Sequence, residues 1–248
     1  MKSSKWYLWL TLLLVLISAG FYALQIAIFR DGRNTFFYML QDLAFVPGQV
    51  LLVTLILSDL MARRERKQLL QKMNMVIGSF FSEIGSELIA ALAKYDRGFG
   101  QLRQIIRLDG SWKQDEYRAA KLKVAALRHE IDARQDGLDC LKDLLLAKRG
   151  FVLGLLENQN LLEHQAFTDL LWATTHLMEE LQFRPRLTGL PDADYQHLSG
   201  DIKRVYALLL AQWLEYADHL RQAYPYMYSL VVRHNPFNHE GRVEIADS

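Results

Sequence analysis

Two apolar runs near the N-terminus, residues 6–29 and 36–57, constrain this chain more than anything that follows them. Each reaches the length of roughly 20 apolar residues that a helix needs to cross the hydrocarbon core of a bilayer. Soon after the second run comes Arg63-Arg64-Glu65-Arg66-Lys67, with Lys72 behind it, whereas the connection between the runs holds Arg30, Asp31, Gly32 and Arg33. Lys and Arg flanking membrane segments are retained on the cytoplasmic side. With Lys2 and Lys5 ahead of the first run, the pattern predicts two spans joined by a tight external turn, with both termini in the cytoplasm of an inner (plasma) membrane. Trp6, Tyr7 and Trp9 at one end and Phe36, Phe37 and Tyr38 at the other suit the aromatic belts of the two interfaces. A cleaved signal peptide is the competing reading of the first run, given its basic start and Ser18-Ala19-Gly20. The apolar centre of such a peptide is about 7–15 residues, and here apolar character resumes at Phe21 and continues to Phe29.

Charge divides the chain into two zones. The first sixty residues hold four Lys/Arg and three Asp/Glu of totals of 29 and 28, so the remainder carries 25 of each sign. A neutral C-terminal part lacks the basic surplus of a nucleic-acid footprint, and no nucleic-acid partner is expected. The local cluster of Arg63, Arg64, Arg66 and Lys67 is expected to meet anionic lipid headgroups. Cys140 is the single cysteine; it has no internal partner for a disulfide, and its neighbours Leu138, Leu141 and Leu144 predict a buried position.

The part after the membrane is long enough for one domain with its own core, and its apolar spacing is helical throughout. Leu70, Met73, Ile77, Phe80 and Ile84 recur at steps of three and four, which places them on one helix face. This helix is expected to continue directly out of the second span. A second stretch starts near Ser111, where Ser111 and Gln114 have capping-box spacing. It presents Tyr117, Ala120, Val124, Leu127 and Ile131 on one face, then Leu138, Leu141 and Leu145, with Gly137 weakening it without having to end it. A third runs from about His164 to Phe183, before Pro185. The fourth follows Pro191-Asp192, carries Ile202, Val205, Leu209, Trp213, Ala217 and Leu220, and is kinked or ended by Pro225. Only residues 227–232 suggest a short strand, and from Pro236 onward the tail is polar and expected to be disordered. The boundaries predicted are 1–60 for the spans, 61–235 for a helical domain and 236–248 for the tail.

Three sets of residues are candidates for chemistry. Tyr38, Gln41, Asp42 and Gln49 are polar positions in the second run, with Asp42 and Gln49 seven apart on one face and Tyr38 one turn outward. A charge at bilayer depth costs about 2.5–3.5 kcal/mol on insertion scales and usually faces protein or a wet cavity. The stripe could line a pore in a homo-oligomer; alternatively Asp42 lies near the outer surface, hydrated or paired with Arg30 or Arg33, with Pro47-Gly48 bending the helix. His164, His176, His197 and His219 form the second set. The two Glu-x-x-His units of carboxylate-bridged di-iron bundles are missing, the nearest patterns being His176-x-x-Glu179 and Asp194-x-x-His197. His129-Glu130 lacks the second histidine of a zinc-protease motif. Hydrogen-bonded or surface roles are therefore expected for the histidines, with no metal and no cofactor. The third set is Tyr206, Trp213, Tyr216, Tyr224, Tyr226 and Tyr228, at core-like helical spacings that also suit an aromatic-lined pocket.

The stretch Phe80-Phe81-Ser82-Glu83-Ile84-Gly85-Ser86-Glu87-Leu88 resembles the phosphoacceptor helix of sensor histidine kinases. Ser82 stands in place of the phosphorylated histidine, Glu87 in place of the proline, and no Gly-rich ATP-binding region follows, so kinase activity is excluded. What the resemblance implies is a helix able to pair and relay a signal. A longer resemblance rests on Phe37-Tyr38-Met39-Leu40-Gln41-Asp42-Leu43-Ala44-Phe45-Val46-Pro47, Glu157-Asn158-Gln159-Asn160-Leu161-Leu162-Glu163-His164 and Tyr224-Pro225-Tyr226-Met227-Tyr228-Ser229-Leu230. These are similar to stretches of a family of prokaryotic two-span membrane proteins with a C-terminal cytoplasmic helical domain. That implies architecture and an inner-membrane setting, and no activity.

There is no P-loop, dinucleotide fingerprint or nucleophile elbow. The sequence thus predicts an all-α protein: an N-terminal transmembrane helical hairpin followed by a cytoplasmic helical bundle. A non-enzymatic sensor or membrane-tethered scaffold is expected, its bundle binding a cytoplasmic protein partner or ligand. An oligomeric ion channel lined by the second span is the alternative, and an enzyme acting on lipid or isoprenoid substrates ranks behind both.

Overall fold

In the computed structural model, which describes residues 4–108, 110–158, 161 and 164–237, the chain separates into two compact units, Met1–Arg66 and Lys67–Ser248. All regular elements among the described residues are helical, and a lone antiparallel bridge joins Asp96 to Ile131.

The first unit contains α1 (Ser4–Phe29) and the opening part of α2 (Gly32–Phe80). Arg30 turns the chain with φ of 50°, and Asp31 caps α2 by accepting from the Asn34 N–H at 3.1 Å. That carboxylate satisfies one of the donors left free at a helix start and complements its dipole. The polar connection is therefore as short as the sequence predicts. Pro47 lies inside α2 and removes one ladder hydrogen bond. From Trp6 to Leu60 the large apolar side chains are exposed, because nothing in this unit covers them. By length and composition two helices among the described residues, starting at Trp6 and Gly32, are apolar enough to cross a membrane.

The second unit takes the end of α2, a π-helical turn (Phe81–Gly85), α3 (Ser86–Ala93), α4 (Phe99–Ile105), α5 (Gln114–Ala126), α6 (Leu138–Ala147), α7 (Arg149–Leu156), α8 (Gln165–Phe183), α9 (Asp192–Ala223) and α10 (Pro225–Arg233). Its axis is α9, which buries the predicted face of Ile202, Val205, Leu209, Trp213, Ala217 and Leu220 and also Tyr206, Leu210 and Leu214. A helix buried on more than one side is the centre of a bundle. Helix α8 packs along it with Phe167, Leu170, Leu177, Met178 and Leu181.

The π-turn has a sequence cause. Buried positions run 73, 77, 81, 85, 89, 93 and, alongside, 80, 84, 88, 92. A step of four drifts by about 40° around an α-helix of 3.6 residues per turn, so this repeat would rotate out of the core. One wider turn takes up the drift. The Ser86 N–H bonds the Phe81 carbonyl, and the Ser86 hydroxyl donates to the same oxygen at 3.0 Å. Gly85 is required by space: a Cβ there would stand 2.6 Å from Phe81 Cδ1 and 2.9 Å from Phe80 Cε1. Gly85→Ala should cost about 1–3 kcal/mol through overpacking, measured as faster amide exchange in α3 and α9.

Several expectations are corrected. The second predicted stretch is not one helix: α5 ends at Ala126, residues 127–137 are irregular, and α6 begins only at Leu138. Gly137 adopts φ of 115°, a conformation that ends any helix, and Tyr95 Oη lies where a Cβ would press at 3.4 Å. Gln114 is the first residue of α5, and the bond at its start is the Lys113 N–H donating to Glu116 Oε2 at 2.5 Å, not a capping box between Ser111 and Gln114. Residues 227–232 are helical in α10, which Pro225 starts at its first turn. Cys140 is exposed, since Leu138, Leu141 and Leu145 take the inward positions and residue 140 falls outside that arc. The domain packs as far as Phe237, which is buried against Trp213 with ring centroids 5.0 Å apart; the rest of the tail lies outside the described residues.

Asp96 holds the irregular segment. Its buried carboxylate accepts from the Gly98 N–H at 2.9 Å and the Glu130 N–H at 3.3 Å, and lies 2.9 Å from His129 Nδ1. The Arg97 N–H and Asp132 N–H complete the link, bonding the Glu130 and Tyr95 carbonyls at 3.1 and 3.0 Å. Burial raises the Asp96 carboxyl, but the His129 and backbone hydrogen bonds outweigh it and hold its pKa below the ordinary value.

Candidate functional site

Where the end of α2 meets α9 and α10, the second unit leaves a cleft of about 530 Å³, within the size range of small-ligand sites. Asn74, Met75, Gly78 and Ser79 come from α2, Ser82 and Glu83 from the π-turn, Tyr216 and His219 from α9, and Tyr224 and Met227 from the α9–α10 corner. A Cβ added at Gly78 would stand in ordinary contact with Tyr216 Cε2, at 3.5 Å, so the glycine borders the cleft beside that ring. Tyr216 lies flat on Phe81, 5.0 Å between centroids, so the wall is preorganised. Its hydroxyl pKa is raised by burial.

Polar groups converge at one side. Asn74 Nδ2 lies 3.1 Å from His219 Nδ1, and burial lowers the His219 pKa despite the opposing field of Asp218. A neutral imidazole accepting from an amide fits both facts. At the rim Lys148 Nζ reaches Glu83 Oε1 at 2.7 Å. Chemically the cleft can hold a small, mainly apolar molecule with one polar head.

A separate group lies between α8 and α9, where His176, Glu180, His197 and Asp201 come together. Arg184 binds Glu180 Oε2 and Asp194 Oδ1, both at 2.6 Å, and its hydrogen bond keeps the Glu180 pKa low. The sequence search missed this group because it looked for Glu-x-x-His. The signal present was His176-x₃-Glu180 and His197-x₃-Asp201, two one-turn spacings on consecutive helices.

The positions singled out in the second apolar run, Tyr38, Gln41, Asp42 and Gln49, all lie exposed on α2. Among the described residues Asp42 forms no ion pair with Arg30 or Arg33. In the basic cluster Arg63 is bound to Asp59 at 2.8 Å, and Arg64, Arg66 and Lys67 are exposed. Of the histidines, His164 caps α8 by accepting from the Phe167 N–H at 3.1 Å. Of the aromatic set, Tyr206, Trp213, Tyr216 and Tyr228 are buried, whereas Tyr224 and Tyr226 are exposed.

Two family models match the chain: MJ1433, N-terminal helical domain, over residues 2–61, and Uncharacterized protein MJ1433, C-terminal helical domain, over residues 69–233. The chain is 40% identical over 240 residues to Uncharacterized protein MJ1433 of Methanocaldococcus jannaschii, covering 97% of this chain and 96% of that protein. The protein therefore belongs to the MJ1433 family of two-part helical proteins. No solved structure matches it.

Proposed function

We propose that this is an inner-membrane protein whose C-terminal helical domain lies in the cytoplasm, binds a small ligand in the cleft and couples binding to the membrane helices. One observation carries the reading. Helix α2 spans 49 residues, so the apolar run and the cleft-lining Asn74, Gly78 and Ser79 belong to one element. A ligand that favours one arrangement of those residues biases the same helix within the bilayer. The exposed basic residues after the span suit anionic headgroups.

The test is a panel of small amphipathic molecules screened by thermal shift on the full-length protein in nanodiscs. A ligand at about 100 times its Kd stabilises the domain by about 2.7 kcal/mol. Gly78→Phe, which fills the cleft beside Tyr216, should abolish that shift and leave the fold intact. A panel that produces no shift, or shifts indifferent to Gly78→Phe, counts against the site.

A channel is the second reading, favoured by the exposed stripe of Tyr38, Asp42 and Gln49 on α2. A homo-oligomer with this face inward would place a ring of carboxylates in the pore, which selects cations. Asp42→Asn should then reduce cation over anion selectivity in reconstituted vesicles, and a parent protein that passes no ions ends this reading.

A further inference from the structure

We propose that His176, His197 and Asp201 form a site for a divalent transition-metal ion, zinc or a similar borderline cation, between α8 and α9. The case begins with Asp201. It is only 3% exposed, and its two oxygens have different fates. Oδ1 accepts from Arg204 Nη1 at 2.8 Å. Oδ2 is sealed from solvent and accepts no hydrogen bond. A buried carboxylate oxygen that faces two imidazoles yet makes no well-formed hydrogen bond calls for an explanation.

The space that Oδ2 faces is occupied by imidazole nitrogens. His197 Nε2 lies 3.2 Å from it and His176 Nε2 3.5 Å from it. Glu180, one turn from His176, places Oε2 3.4 Å from His197 Nε2 and Oε1 3.9 Å from His176 Nε2. Metal–ligand bonds of about 2.0–2.2 Å in a tetrahedron separate neighbouring ligand atoms by about 3.3–3.5 Å. The two separations from Oδ2, 3.2 and 3.5 Å, are of this order, and the three ligand atoms all lie within 4.8 Å of one another.

Helix geometry explains why the atoms converge. His176 and Glu180 lie one turn apart on α8, and His197 and Asp201 one turn apart on α9. Each pair shares a helix face, and the two helices pack against each other along the bundle. Two imidazoles and a carboxylate favour zinc, cobalt or nickel over calcium or magnesium, which take all-oxygen shells. Local charge agrees: Asp194, Asp201 and Glu180 outnumber Arg184 and Arg204 before any histidine proton is counted. The two histidine side chains are about half exposed, at 45% and 51%, so the ion has an entry path and a fourth position open to water or Glu180. Three protein ligands and an open position are the arrangement of exchangeable rather than sealed zinc sites.

The experiment uses the full-length protein in nanodiscs, stripped with chelator and titrated separately with Zn²⁺ and Co²⁺. The expected result is about one zinc bound per chain and visible cobalt bands of a four-coordinate N/O site. His197→Gln and Asp201→Asn should each weaken zinc binding by about a hundredfold or more, beyond the loss typical of outer-shell changes. His234→Gln, outside the group, should bind as the parent does. His197 is half exposed, so its variant keeps the fold, and circular dichroism checks this. Binding unaltered in both ligand variants overturns the proposal, as does a parent that retains no zinc, which would make the group an ion-pair network of histidines and carboxylates.

Discussion

Asp96→Ala should destabilise the C-terminal domain by about 3–5 kcal/mol, the penalty for stripping one partner from a buried hydrogen-bonded pair. The substitution leaves His129, itself 5% exposed, facing an apolar gap. It also orphans the Gly98 and Glu130 N–H groups that now bond Asp96 Oδ1. Asp96→Asn keeps an acceptor for both amides and should lose about half as much, because a charged acceptor is replaced by a neutral one. The pH dependence separates the two. Since the folded carboxyl titrates below the ordinary 3.8, its contribution is fully present above that value and is lost as pH falls through the lower folded pKa. The parent's advantage over Asp96→Asn should thus be flat from neutrality down to about pH 4 and shrink in stronger acid. Amide exchange in α8 and α9 of the full-length protein reads the change, with about two to four orders of magnitude faster exchange in Asp96→Ala at pH 7. Exchange unchanged in that variant would show that the irregular segment is held by its backbone bonds alone.

This segment also marks where sequence reasoning stopped. Tyr117, Ala120 and Val124 are a true helix face, and Leu127 and Ile131 continue its spacing by coincidence. The break comes from a pairing between residues 96 and 131 that no local window contains, together with a glycine whose left-handed φ is visible only in the structure. The same holds for the π-turn. The three-and-four spacing places Met73, Ile77, Phe80 and Ile84 on one face, and all four are buried, with Leu70 alone exposed; the neighbouring run of fours through Phe81, Gly85 and Ile89 is the part it leaves out. That run was legible in principle, since only a widened turn keeps it on one side. The long α8 and α9 were clear from their apolar faces because nothing long-range competes with a 3.6-residue period there. The two one-turn His–carboxylate pairs were equally present in the sequence, but their meeting depends on how α8 packs on α9, which spacing along one helix does not encode.

Trp213→Ala should be the most damaging single truncation in α9, at about 3–5 kcal/mol for an aromatic removed from a packed interior. That is a large share of the 5–15 kcal/mol typical of a whole domain. Trp213 is 1% exposed and meets the edge of Phe237 at 5.0 Å and 79°. Phe237 is tied in turn by its N–H to Asn235 Oδ1 at 3.0 Å, both residues being buried. The tryptophan therefore fills the core from one side and anchors the chain after α10 from the other. A double-mutant cycle with Phe237→Ala isolates the second role. If the rings hold each other, the two losses are not additive, and the coupling should fall near 0.5–1.5 kcal/mol, the range for an aromatic pair beyond its buried area. Trp213→Phe should retain most of the stability, because it keeps a ring against Phe237 while removing volume. Additive losses in the cycle would mean that Phe237 is held by its backbone and Asn235, with the tryptophan acting only as core filling.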